Sequence, residues 1–145
     1  MEIKSVFIDA NVFIDANDSN RVSYESCYIL IPTLINKGIK IYTSCDLITT
    51  IYYILSKQGR KQALNSIEDI NRICKIIEFS NAEVLQTCQL MREDDKFKDL
   101  EDTLQYVLAK NTNCDLIISN DKKFYSTDIE LLTSDQAIKK LNIKN

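Results

Sequence analysis

Apolar runs of strand length alternate with stretches of helical periodicity along nearly the whole chain, and this alternation constrains the fold more than any other feature. Ile3–Ile8 is a short, nearly continuous apolar run, which reads as a buried strand. Ile39–Thr43, Asp115–Ser119 and Glu130–Leu132 read as further strands. Lys75–Phe79 either adds a short strand or continues the helix before it. A helix is expected from Ser23 as N-cap to about Ile35, with Pro32 kinking or splitting it and Gly38 ending it. Ser44 is placed to cap a helix over Cys45–Lys57 that stops near Gly59. Arg60–Arg72, Ala82–Glu93 after an Asn81 cap, Leu100–Lys110, and a last segment from a Ser134 cap through Leu141 complete the helices. Strands separated by helices imply an α/β fold: a central, mostly parallel sheet flanked by helices in three layers.

The chain of 145 residues has two glycines, one proline and no Ser/Gly-rich linker, so a single domain over residues 1–145 is expected. Its longest apolar run is far too short to span a bilayer. The N-terminus carries no small-residue cleavage site, and a cytoplasmic protein with no membrane partner is expected. The five cysteines are odd in number and lack a CxxC pair, which favours reduced, mostly buried thiols over a disulfide framework or zinc site. Histidine is absent, which excludes Ser-His-Asp and Cys-His catalysis and His-ligated zinc. Any catalysis must use carboxylates, Lys, Tyr, Ser/Thr or a bound ion.

In doubly wound sheets the functional crevice lies beyond the carboxyl ends of the strands. Asp9, Ser44 and the Ser119–Asp121 turn each follow a strand directly. An Asp at such a place also serves as a helix cap, and Asn120-Asp121 also suits a turn. Asp99 and Asp102, three apart, share one side of their helix, opposite a Leu100/Leu104/Leu108 stripe, where a solvated face is the structural alternative. Three separate segments thus bring acids to one edge of the sheet. Clustered carboxylates repel and raise one another's pKa, and a hard divalent cation such as Mg²⁺ or Mn²⁺ relieves that with all-oxygen ligands. Such an ion also serves phosphodiester cleavage.

The opening VFIDANVFID, the block DLEDTLQYVLAKNTNCDLIISNDKKF and the tail LLTSDQAIKKL resemble the PIN domain, and in particular its VapC-like members, the toxin half of bacterial toxin–antitoxin pairs. The resemblance covers nearly the whole chain. It implies a parallel sheet between helices, an acidic Mg²⁺ or Mn²⁺ site, and cleavage of single-stranded RNA. By motif position, Asp9 is the first family acid and Asn11 its supporting neighbour. Asp102 matches the acid of the later helix, with Asp99 nearby. Asp121 matches the acid after the late strand, and Ser119 the Ser/Thr of that turn. Implied partners are RNA, a cognate antitoxin helix, and a second copy of the chain in a homodimer.

One position departs from the family pattern. Thr50 stands where a Glu is expected in SCDLITTIYYIL. Asp46, one helical turn earlier, and Glu101 are the acids available to substitute, and neither is the matched position. A second reading follows: a degenerate, non-catalytic PIN-like module that binds RNA or protein. A third class, phosphoryl transfer on small molecules, rests only on an Asp after the first strand. The net charge of −3 does not advertise nucleic-acid binding. Lys122 and Lys123, directly after Asp121, are the preferred phosphate contacts, with Lys57/Arg60/Lys61 and Lys96/Lys98 as further basic groups.

Overall fold

A computed structural model describes residues 2–143. The first strand, β1 (Ser5–Ile8), runs straight into helix α1 (Ala10–Ala16). Helix α2 (Tyr24–Asn36) returns to β2 (Lys40–Ser44), and α3 (Cys45–Leu55) follows without a linker. A 3-10 turn at Ser56–Gln58 and Gly59 lead into α4 (Arg60–Ile73) and β3 (Lys75–Ile77). Then come α5 (Asn81–Glu93), α6 (Leu100–Asn111), β4 (Leu116–Ile118), β5 (Glu130–Leu132) and α7 (Ser134–Ile143).

The five strands form one sheet in the order β3-β2-β1-β4-β5, and every pairing is parallel. Val6, Phe7 and Ile8 in β1 and Leu116, Ile117 and Ile118 in β4 are wholly buried, as a strand covered on both faces requires. The near-invariant right hand of parallel crossovers puts α1 to α4 on one face, where α1 packs on α2 and α3, and α3 on α4; α7 joins them by packing on α2. The connection from β3 back across to β4 places α5 and α6, packed on each other, on the opposite face. The strand order reverses between β1 and β4, so a crevice opens there at the carboxyl edge. No described helix is long and apolar enough to cross a membrane.

Several local expectations are corrected. Pro32 does not split α2, which continues to Asn36; lacking an N–H, it deprives the Tyr28 carbonyl of its helical partner on an exposed face. The third helix ends at Leu55, two residues short of Lys57, where the 3-10 turn tightens into Gly59 at φ 149°. Of the two readings open for the segment after α4, the strand holds, because it pairs with β2 in register Thr43↔Ile76. The cap of α5 is Ser80, not Asn81: its hydroxyl and the Glu83 carboxylate form a reciprocal capping box. Thr133, not Ser134, plays that part at α7, exchanging bonds with Gln136. Of the cysteines only Cys27 and Cys114 are buried; Cys45 is exposed, and all five are free thiols. Leu100 is exposed, so the apolar stripe of α6 begins at Leu104.

Candidate functional site

Asp9 sits at the switch point, at the carboxyl end of β1, and is 6% exposed. Its Oδ1 accepts the Ala10 N–H at 2.8 Å, which caps α1. Its Oδ2 accepts the Ser119 hydroxyl at 2.7 Å and the Asn11 amide at 3.0 Å. Three neutral donors therefore fix the carboxylate without cancelling its charge. Burial nevertheless pushes its pKa up, and the nearby Asp121 charge adds to that.

Ser119 joins the two strands' ends. It donates its one proton to Asp9 and accepts from the Asn11 amide at 3.3 Å and the Asp121 N–H at 3.1 Å. Its donor and both lone pairs are thus used. Asn11 completes the loop by accepting the Asn120 N–H at 2.9 Å. Asp121 accepts the Lys123 N–H at 2.9 Å, a turn that leaves Asp121, Lys122 and Lys123 all exposed at the rim. Behind the turn, the Asn120 side chain ties Cys27 of α2 and Ser134 of α7 together.

The opposite wall of the crevice is the start of α6. Asp99 is its N-cap and accepts the Asp102 N–H at 2.9 Å, so one of its oxygens serves the helix. Asp102 is half-buried, and burial plus the charges of Asp9, Asp99, Asp121 and Glu101 push its pKa up to about 7. Burial, then the charges of Asp46, Asp9 and Asp99, push Glu101 up as well. Acids from the ends of β1 and β4 and from the starts of α3 and α6 thus share one field. They do not close on a single point: among the described residues no three His, Cys, Asp or Glu side chains are grouped tightly enough to hold a metal ion.

Two features beneath the acids escaped the sequence. Phe97, buried within a charged loop, packs on Tyr106 of α6 (ring centroids 5.0 Å apart) and edge-on against Tyr125 (4.7 Å). This cluster links the loop that carries Asp99 to the loop that follows Asp121. Gln105 is wholly buried on α6 and binds the Asp46 carboxylate. Thr50 lies half-buried one turn further along α3. Of the other basic groups, Lys57 packs over the Tyr53 ring at 4.9 Å. An open groove of about 740 Å³ lies at the far end of the sheet, beside Lys40 and Lys75, away from every one of these acids.

The structure is thus an α/β protein with an acid-lined crevice at the topological switch point of a parallel sheet. The chain belongs to the PIN domain family, whose family model matches residues 5–123. It is 48% identical over 142 residues to "Ribonuclease VapC1" of Aquifex aeolicus, covering 98% of this chain and 99% of that one. Among solved structures it is similar to VapC20 of Mycobacterium tuberculosis, described as a sarcin–ricin loop cleaving toxin (TM-score 0.66, 13% identity, 82% of this chain and 92% of that one). It is also similar to VapBC2 of Rickettsia felis bound to a promoter DNA fragment (TM-score 0.68, 18% identity, 89% and 98% covered). At these identities the solved structures share the fold.

Proposed function

We propose that this protein is a Mg²⁺- or Mn²⁺-dependent endoribonuclease for single-stranded RNA, the toxin component of a toxin–antitoxin pair. The observation that carries the reading is the gathering of Asp9, Asp99, Asp102 and Asp121 around the switch point, where burial first and then the charges of Asp9, Asp99 and Asp121 raise the Asp102 pKa. The full-length similarity to a VapC ribonuclease supports it. The residues fit a hard dication in donor chemistry: the set is all oxygen, and Asp102 lies in the fields of Asp9, Asp99 and Asp121. Mg²⁺ keeps several of its waters, so Asp9, Asp102 and Asp121, which do not close on one point, would hold the ion partly through water, with Asp99 assisting. Such an ion, when bound, supplies Lewis acidity toward a phosphodiester and water.

The chain's own residues do the rest. Ser119 and Asn11 fix Asp9 in one orientation. Asn120 and Asn11 set the turn that presents Asp121. Lys122 and Lys123, exposed beside Asp121, attract the RNA phosphates. Partners of this reading are RNA, a cognate antitoxin and a second copy of the chain. The decisive experiment is calorimetric titration with Mn²⁺, with Asp9→Asn alongside, followed by an RNA-cleavage screen. Saturable binding and cleavage, both lost in the variant, are expected. Thr50 motivates the second reading, a non-catalytic RNA- or protein-binding module, and an absence of both Mn²⁺ binding and cleavage in the wild type would select it.

A further inference from the structure

The third helix begins with an arrangement that its own stability does not require. Ser44 occupies the N-cap position of α3 with extended backbone, yet its side chain makes no capping bond. Its hydroxyl is turned instead toward Asp46 and toward Gln105 Oε1, 2.6 Å away. Gln105 donates its amide to both carboxylate oxygens of Asp46, at 3.2 Å to Oδ1 and 3.1 Å to Oδ2. Both Ser44 and Gln105 are wholly buried, while Asp46 is half-buried at the crevice. The amide cannot turn over, because Oε1 would then face the carboxylate.

A buried Arg or Lys in this place would neutralise Asp46. A buried amide orients both oxygens and leaves the full negative charge, as Ser119, Asn11 and the Ala10 N–H do for Asp9. Each Asp46 oxygen carries two acceptor positions, and Oδ2 uses only one of them here. The charge lies beside the crevice, because Gln105, which holds Asp46, stands one turn from Asp102 on the same side of α6. Thr50, where the family motif expects a Glu, carries no charge.

We infer that Asp46 is the acid α3 contributes to the site in place of a Glu at position 50, and that Gln105, with Ser44, is its positioning residue. This rests on the proposed metal site, and the experiment separates the two. Mn²⁺ affinity and thermal stability are measured for the wild type, Asp9→Asn, Asp46→Asn, Gln105→Met and Thr50→Glu. Asp46→Asn is expected to weaken Mn²⁺ at least tenfold while the melting temperature changes little. Gln105→Met is expected to weaken it several-fold, and combining it with Asp46→Asn should add nothing further. If Gln105→Met fails to fold, Ser44→Ala takes its place with the same expectation. Thr50→Glu in the Asp46→Asn background is expected to restore part of the affinity. A wild type that loses Mn²⁺ through Asp9→Asn but not through Asp46→Asn overturns this inference alone. A wild type that binds no Mn²⁺ overturns the proposed metal site and this inference with it. Loss of stability without loss of affinity in Gln105→Met or Ser44→Ala assigns that tie between α3 and α6 to structure only, and overturns the positioning role.

Discussion

At the scale of single residues, the crevice is built from charges that the fold holds at a cost to itself. Asp102 illustrates the sign. Its pKa is about 7 in the folded chain against an ordinary value of 3.8. Between about pH 4 and pH 7 the folded chain therefore keeps a proton that the unfolded chain has lost. Stability is highest at the acid end of that window and falls as pH rises through it. Asp9, also shifted upward, adds to the same trend. Solvent screens the half-exposed Asp102, so the expected fall in melting temperature from pH 6 to pH 8 is only a few degrees. Asp102→Asn should flatten this dependence and raise the melting temperature at pH 8, by circular dichroism, while abolishing Mn²⁺ binding. Asp9→Asn should retain the fold, since Asn also caps helices, and lose the same binding. Ser119→Ala removes one donor and two acceptors from a buried knot and is expected to cost about 1–3 kcal/mol in urea unfolding.

At the scale of elements, the places where sequence and structure agree share a physical cause. Ile3–Ile8 and Asp115–Ser119 were legible because strands buried on both faces must be apolar throughout, so a following Asp9 or Asp121 stands out. The caps of α5 and α7 were displaced by one residue because Ser80 and Asn81, or Thr133 and Ser134, are adjacent and equally suited by type; only the reciprocal bonds of Glu83 and Gln136 decide. Gln105 was illegible for a different reason. It lies in a stretch of α6 buried on every side, from Thr103 to Ala109, where helical periodicity carries no information about direction. Phe97 was hidden by its charged neighbours in the loop before α6. Pro32 remains a local misfit within α2. Pro32→Ala is expected to stabilise the protein by about 1–3 kcal/mol in chemical denaturation, without altering Mn²⁺ affinity.

At the scale of the whole molecule, the sheet and the aromatic cluster bring together acids that the chain keeps far apart. Phe97 touches both Tyr106 and Tyr125, so Phe97→Ala is expected to cost about 3–5 kcal/mol and to weaken Mn²⁺ binding as the two acid-bearing loops loosen. The pairing of β1 with β4 has a further consequence. Val6 lies beside Leu116, and the Ser119–Asp9 bond closes a span of 110 residues. Asp9 leaves a ribosome 110 residues ahead of the Ser119 that helps to fix it. A growing chain thus carries Asp9 without a crevice around it until β4 is made. If the proposed activity holds, a cell making this protein meets no partial nuclease before β4 and the turn after it are in place.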